Sequence, residues 1–312
     1  MTTMITRDAA LKALRAPIEV RSEIAPVSRD TIGVRLGLLR LQRAPKAPLG
    51  VEETLSTGCE VVLSSVCWSA GTPVPMSALV NATVVIGEMI DGDRLSFELA
   101  GKRVPGEHTL STSLTALFPV PEFRGQRVRQ QVWLKSASRL ELAAQLDPAD
   151  ANASLVAALE QERERAVEAR ASETVVAELG ARLGLGVTAE QVRAHALTMW
   201  HAIDQPRLIA LGLGDAICRR AQAVWCSTPG ILDWASRQLV ASSVLSALFE
   251  ARVLDAPLAA RDAEAALKAV GVGAAQLAKA EPAQAERLYS SAVINAARRQ
   301  LVRLPCVEIT SA

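Results

Sequence analysis

The sequence predicts an α+β fold, in which an N-terminal antiparallel β sandwich or barrel-like domain is followed by a C-terminal multi-helix bundle. The pattern changes at Asp147-Pro148: short β-type segments broken by glycine and proline precede it, and helical patterns follow it. Because no helical segment separates the β-type runs, parallel βαβ units are disfavoured. We expect a basic N-terminal arm over residues 1–50 that leads into the sheet, a β-rich domain over 51–146, and a helical domain over 147–312 with a short extended tail.

The first 50 residues contain three candidate elements. A helix over residues 7–15 is predicted to end before Pro17, because proline cannot continue it. Apolar and charged residues alternate over 18–24, which is typical of a half-buried strand. A second strand is predicted over Thr31–Leu41, and Lys46–Gly50 is predicted to be a loop.

Residues 51–146 carry the strongest β pattern. Glu60–Trp68 is β-branched and apolar, as expected of a buried strand, and the two prolines of Gly71–Pro75 exclude a regular ladder. Asp-Gly between two apolar runs predicts a hairpin, and alternation on its second strand predicts one wet sheet face. The further predicted strands are Leu79–Ile90, Arg94–Ala100, His108–Leu117 and Arg127–Leu134.

Repeated helix starts follow the change of pattern. Asp147 is a capping residue, and Pro148 suits the first helical position. A helix is predicted from Thr188 to about Asp204, and another is predicted to begin at Pro206. Similar starts recur at Thr228-Pro229, at Asp255-Ala-Pro257 and at Glu281-Pro282. Together they predict about eight helices in an antiparallel bundle. The final segment, Pro305–Ile309, is predicted to be a strand that pairs with the protein's own sheet or with a neighbour's edge.

Composition and charge limit the classes of function. Hydrophobic residues make up 50% of the chain, which argues against disorder. The net charge of +1 argues against a function dominated by electrostatic binding to nucleic acid. Residues 1–50 are locally basic, with nine Lys and Arg against four acids. This arm, which includes Arg35, Arg40 and Arg43, is either a solvated segment or a contact for nucleic acid or an acidic partner.

The cysteines and the N-terminal sequence bear on the compartment. Five cysteines are an odd number, and none forms a CxxC pair, so we expect reduced and mostly buried thiols. Neither a signal-peptide core nor an apolar run of membrane-spanning length is present. We expect no membrane association and no classical secretion, with the protein in the cytoplasm or within a virus particle.

Sequence motifs for catalysis and cofactor binding are missing. The chain has no phosphate-binding glycine loop, no HExxH and no GxSxG. His195 and His201 are six residues apart and point in different directions on a helix, so they cannot share a metal. We predict no catalytic, cofactor or metal residue and no cofactor, while a catalytic triad assembled from distant residues stays open.

One stretch has the character of a binding surface. Phe123–Trp133 combines Arg124, Arg127 and Arg129 with Trp133. On a strand, Arg127, Arg129 and Trp133 lie on one face, where arginine and an aromatic ring can contact phosphate and stack on a base. The alternative is a solvated sheet face with Trp133 at a seam between domains. These residues and the arginines of the basic arm are the candidate nucleic-acid or partner contacts.

Three hypotheses for function follow from these patterns, and no family resemblance decides between them. The missing catalytic signatures favour a non-enzymatic structural subunit of a multi-subunit assembly, most naturally a viral or phage particle. Its partners would be other protein subunits, in a homo-oligomer or a hetero-oligomer, and the basic arm would provide a possible contact with nucleic acid. The second hypothesis is a nucleic-acid-binding subunit of a bacterial ribonucleoprotein or partition-type complex. The third is an enzyme with no site recognisable in its sequence.

Overall fold

The computed structural model describes residues 6–22, 24–50, 53–87, 95–141, 153–269, 272 and 282–311. It confirms the mixed α and β character that the sequence predicts. Its helices are α1 (Arg7–Ala13), α2 (Arg29–Arg43), α3 (Leu95–Glu98), α4 (Ala153–Arg182), α5 (Ala189–Ala210), α6 (Asp215–Ser227), α7 (Pro229–Glu250), α8 (Ala256–Ala269) and α9 (Pro282–Val302). Its strands are β1 (Ile18–Ser22), β2 (Lys46–Pro48), β3 (Cys59–Ser69), β4 (Thr72–Pro73), β5 (Leu79–Val85), β6 (Gly106–Ser113), β7 (Arg127–Leu140) and β8 (Val307–Ser311).

The chain divides into two compact units, each assembled from separate stretches of sequence. Unit 1 combines Met1–Ile32, Ala151–Thr188 and Arg237–Ala312, and unit 2 combines Gly33–Asp150 with Ala189–Ser236. The sequence predicted consecutive domains, divided at residues 50 and 146. The contacts instead group α5 and α6 with the sheet, so the helices after residue 153 are shared between the two units.

Unit 2 is built on a six-stranded antiparallel sheet. Its long central strands, β3 and β7, pair with each other; β3 also pairs with β4 and β5, and β7 also pairs with β2 and β6. A closed barrel is not seen in the part of the chain that the structure describes. The segment Lys46–Pro48, predicted to be a loop, is an edge strand, which tolerates Pro48 because an edge residue needs no second ladder bond.

The two faces of this sheet pack differently. On one face, Val61, Leu63 and Val132 are fully buried in a cluster with Leu55 and Leu99. On the other face, Val66 and Trp68 pack against Trp200 of α5 and Trp225 of α6. The ring centroids of the two helical tryptophans are 5.9 Å apart in an edge-on arrangement. Burial of large aromatic surface therefore explains why α5 and α6 belong to the sheet.

The strand predicted over Thr31–Leu41 is wrong, because these residues form most of α2. Ile32, Val34 and Leu36 alternate as in a strand, but the side chains that are buried are Leu36 and Leu41. Ser28 precedes the helix, and its Oγ accepts a hydrogen bond from the Thr31 backbone N–H at 3.1 Å. A serine three residues before the amide that it caps is a helix-start signal.

The strand predicted over Arg94–Ala100 is also wrong, since Leu95–Glu98 is a helical turn. Leu95 and Leu99 are both buried, while Phe97 is 50% exposed. Residues four apart share a helix face, so a helical turn buries both leucines and releases Phe97 to solvent. The predicted Asp-Gly turn lies outside the described residues, as do the predicted helix start at Asp147 and residue 281 of the Glu281-Pro282 start.

The helix predicted to begin at Pro206 is not a separate element, because α5 continues through this proline. Trp200 and Leu208 are each 1% exposed and lie in the same apolar cluster on either side of Pro206. Their burial offsets the loss of one backbone hydrogen bond inside the helix. The predicted starts at Thr228-Pro229 and Asp255-Ala-Pro257 are confirmed, and the Asp255 carboxylate accepts from the Leu258 N–H at 2.9 Å.

Unit 1 packs helices around a two-stranded parallel sheet. Strand β8 pairs with β1, so the predicted C-terminal strand joins the chain's own N-terminal strand. Ile18 and Val20 of β1 are buried against α4, α7 and α9, with Val175 and Leu301 in the same cluster. Within the described residues, no helix has both the length and the apolar content that crossing a bilayer requires.

Arg182, in the last turn of α4, fastens the connection between α1 and β1. Its guanidinium donates to the backbone carbonyls of Ala13, Ala16 and Pro17 at 3.0, 2.6 and 2.9 Å. Its Nε donates to the Glu178 carboxylate at 2.8 Å. One cation therefore satisfies backbone acceptors that no regular element reaches, which fixes how the chain enters β1.

Candidate protein-binding site

The predicted arginine and tryptophan surface lies on β7 in unit 2. Arg127 and Arg129 are exposed, and Trp133 lies partly buried on the same face. The Arg129 guanidinium carbon lies 5.6 Å from the centre of the Trp68 ring, which is a cation–π contact. Trp133 packs against the cluster that holds Trp200. Part of this sheet face is therefore the surface against which α5 and α6 pack.

Two of the predicted contact residues donate hydrogen bonds within their own sheet and loops. Arg127 Nε donates to the Ser111 hydroxyl on the neighbouring strand at 2.9 Å. Arg124 Nε donates to the Phe118 carbonyl at 2.8 Å, across the loop that joins β6 to β7. Both side chains thus have structural roles at the Arg127 end of β7.

The arginines of the basic arm lie at the other end of this strand. Leu41 and Ala44, at the end of α2, pack against Leu140, the last residue of β7. At ~3.3 Å per residue, the eleven positions from Arg129 to Leu140 span about 35 Å. Arg40 and Arg43 are in the last turns of α2 and Arg35 is two turns earlier, so the structure does not join them to Arg127 and Arg129 in one patch.

A depression of about 310 Å³ opens on the sheet face opposite Trp68. Its floor crosses three strands, from Cys67 on β3 through Gln130 on β7 to Thr112 on β6. The rim carries apolar side chains that are open to solvent: Leu117 is 71% exposed and Leu79 is 38% exposed. Its volume falls at the lower end of the roughly 300–1,000 Å³ that is common for ligand pockets.

The floor and the walls offer different chemistry. Gln130 is buried and donates to the Ser65 hydroxyl at 3.3 Å, which fixes its side chain in the floor. The walls are the Met76–Leu79 segment on one side and Leu114–Pro119 on the other. Hydroxyl and amide groups below an apolar rim suit a ligand that buries apolar side chains and also forms hydrogen bonds.

The wall at Met76 is held from behind by a buried carboxylate. Asp204 of α5 is only 2% exposed, and its Oδ2 accepts a hydrogen bond from the Met76 N–H at 2.8 Å. Met76 has a φ of 62°, a left-handed conformation that is uncommon for a residue with a side chain. Burial raises the pKa of Asp204 from 3.8 to about 6, against the opposing effects of the Met76 hydrogen bond and the Arg207 charge.

Asp204 was not among the residues predicted from sequence, although a signal was present. Ala196, Trp200, Asp204 and Leu208 recur every four residues and are all buried. A carboxylate in the middle of an apolar helical stripe has to find a donor inside the protein. Leu117 carries no such signal, because its exposure depends on how the loop between β6 and β7 folds.

Most of the thiols are buried, as the sequence predicts. All five cysteines lie among the described residues, none is in a disulfide, and Cys59, Cys67 and Cys218 are buried. Burial, with a smaller effect of Asp215, raises the pKa of the Cys218 thiol, and burial raises that of Cys226. Among the described residues, no three His, Cys, Asp or Glu side chains converge as metal ligands.

Comparison with known proteins identifies no family. No protein-family model matches the chain, and no curated protein matches it. Among solved structures, a trigger factor chaperone, described for promiscuous substrate recognition in folding and assembly, aligns over 93% of this chain and 71% of its own. The sequence identity is 15% and the TM-score is 0.29.

Proposed function

We propose that the protein is a non-enzymatic structural subunit of a multi-subunit assembly, which holds an extended segment of a partner protein at the depression of unit 2. The observation that carries the proposal is the exposed apolar rim at Leu117 and Leu79, above a floor formed by the sheet itself. Exposed apolar side chains around a concave surface are typical of protein-binding sites.

The edge of β6 supports an extended partner. Strand β6 pairs with β7 on one side, and among the described residues no strand pairs with its other side. Thr112 and Ser113, at the end of β6, also line the depression. A segment that adds to this edge would form backbone hydrogen bonds along β6 and would place alternate side chains over the depression.

Binding to an array of short immobilised peptides tests this proposal. The full chain should bind peptides with apolar residues at alternating positions, and Leu117→Asp should weaken that binding by roughly tenfold or more, since one buried apolar side chain is worth ~1.5–3 kcal/mol. Ile209→Asp is the matched control, because Ile209 is also an exposed apolar residue of unit 2 and does not line the depression. Equal loss in both variants would contradict the proposal.

A viral or phage particle is a narrower form of this proposal about function. The β sandwich is likewise a narrower proposal about the fold of unit 2. Native mass measurement of the purified protein, with and without nuclease, tests the assembly itself. A subunit that associates through protein contacts should keep its mass after nuclease treatment. A loss of mass would instead favour the nucleic-acid hypothesis.

Nucleic-acid binding is the second candidate function, because Arg127 and Arg129 are both exposed on one face of β7. Binding through these residues should weaken steeply as the salt concentration is raised. In the double variant Arg127→Ala with Arg129→Ala, the plot of log affinity against log salt concentration should be less steep, by the amount expected for the loss of about two phosphate contacts. If the double variant bound a single-stranded oligonucleotide with the wild-type affinity and salt dependence, nucleic-acid binding through these arginines would be ruled out.

A further inference from the structure

We propose that Asp204 is a positioning residue for the depression: while ionised it holds the Met76 wall in place, and when it takes up a proton it holds that wall less firmly. The consequence for binding rests on the proposed function, whereas the coupling between Asp204 and Met76 can be measured without a partner.

The hydrogen bond between these residues joins two elements that are distant in sequence. Asp204 lies on α5, and Met76 lies 128 positions earlier, between β4 and β5. The 2.8 Å distance from the Met76 nitrogen to Oδ2 is in the range of hydrogen bonds to a charged acceptor, which are the stronger kind. Because Met76 holds a left-handed conformation, its position depends on such an external restraint.

The second oxygen of the carboxylate shows where a proton would go. Asp204 Oδ1 is buried and has no hydrogen-bond partner, although Oδ2 has one. Protonation at Oδ1 removes the buried charge and leaves Oδ2 as a neutral acceptor for the Met76 N–H. The restraint on Met76 is then weaker, because a neutral acceptor binds an amide less tightly than a carboxylate does.

One charged neighbour, Arg207, opposes protonation of the Asp204 carboxylate. Arg207 on the same helix acts on the carboxylate through space and favours its charged form. The segment from Thr72 to Val80 carries no ionisable side chain. Charged residues on the other elements packed into this cluster include Asp215, Arg219 and Arg220 on α6, Asp233 and Arg237 on α7, Glu122 in the loop before β7, and Arg127 and Arg129 on β7.

Binding and protonation are linked in a definite direction. If a partner needs the Met76 wall in place, it binds the ionised form better, so binding lowers the proton affinity of Asp204. Acidification through the Asp204 midpoint should then weaken partner binding. Asp204→Asn carries no charge at any pH and should bind with the lower affinity throughout.

Nuclear magnetic resonance of the full chain tests the coupling. In wild-type protein, the Asp204 carboxyl carbon and the Met76 amide nitrogen should titrate together, with a midpoint near 6. With methyl-labelled methionine, assigned by comparison with Met76→Leu, the Met76 methyl signal should follow the same midpoint. In Asp204→Asn, the Met76 signals should no longer titrate.

Two results would overturn the proposal. One is a Met76 amide whose signal stays constant while the Asp204 carboxyl titrates, and the other is a Met76 titration that persists in Asp204→Asn. The first comparison uses only wild-type protein, so it decides the question even if the variant does not fold. A clear Met76 titration together with pH-independent peptide binding would leave the coupling intact and would refute the proposed binding role of the depression.

Discussion

At the scale of single residues, Asp204 makes the stability of unit 2 depend on pH. Its folded-state pKa of about 6 is higher than its ordinary value of 3.8, so the folded protein binds this proton more tightly than the unfolded chain does. Its contribution to stability is therefore fully present below pH 3.8 and is lost as pH rises through about 6. The loss should be about 3 kcal/mol, from ~1.4 kcal/mol per pKa unit.

Urea unfolding measured from about pH 4 to about pH 7.5 checks this prediction. Wild-type protein should lose stability across this range, and Asp204→Asn should lose less, because its side chain does not titrate. Asp215→Asn is the control, since it makes the same change of side chain at an exposed position in the first turn of α6. A slope that is the same in wild type and in Asp204→Asn would show that another group is responsible.

At the scale of elements, Gly180 sets how closely α4 approaches α7. A Cβ atom at Gly180 would lie 2.7 Å from Cγ1 of Val240, which is closer than atoms can pack. Gly180→Ala should therefore destabilise unit 1 by about 1–2 kcal/mol, since overpacking costs ~1–3 kcal/mol and alanine's helix propensity returns up to ~1 kcal/mol. Thermal unfolding followed by far-ultraviolet circular dichroism measures the change.

Gly37 provides the matched control for this substitution. It lies inside α2, and a Cβ atom there would meet nothing within 4 Å. Gly37→Ala should stabilise the protein by about 0.5–1 kcal/mol, which is the propensity gain without the clash. If both variants were stabilised, Val240 would have to move freely, and the close approach of α4 and α7 would not be a constraint.

The elements also show where sequence patterns decide a structure and where they do not. Strand β3 was predictable because a short apolar run rich in β-branched residues fits a buried strand better than a buried helix. Leu95 and Leu99 are equally compatible with a strand and a helical turn, since two residues separated by four share a face in both. In the structure both leucines pack in one cluster with Leu55, Leu63 and Val132, and this tertiary packing, which the local pattern does not contain, accompanies the helical turn.

At the scale of the whole molecule, the five tryptophans all belong to unit 2 (Trp68, Trp133, Trp200, Trp225 and Trp234). Their fluorescence therefore reports unfolding of unit 2, while circular dichroism reports helices of both units. Deleting residues 305–312 removes β8 and exposes Ile18 and Val20, and should cost unit 1 about 3 kcal/mol from lost apolar burial and backbone hydrogen bonds.

The deletion should lower the circular dichroism midpoint and leave the tryptophan midpoint unchanged. Glu308→Gln is the control, because Glu308 is exposed and its replacement keeps the strand. Equal shifts of both midpoints would show that the two units unfold together.

The interleaving of the units lies beyond sequence patterns for a physical reason. Periodicity reports which face of an element is buried, but not which distant element buries it. The apolar stripe of α5, with Trp200 and Leu208, would suit a helical bundle as well as a sheet. The partner is decided by Val66 and Trp68, which lie more than 120 positions earlier.

The pairing of β1 with β8 also has a consequence for how the protein is made. Ile18 and Val307 are opposite each other, so about 290 residues must be synthesised before β1 meets its neighbour. At ~5–20 residues per second, a ribosome needs roughly 15–60 s for that length. Throughout this interval the nascent chain carries a strand with one apolar face and no pairing strand, so a chaperone that shields residues 18–22 should raise the yield of native protein.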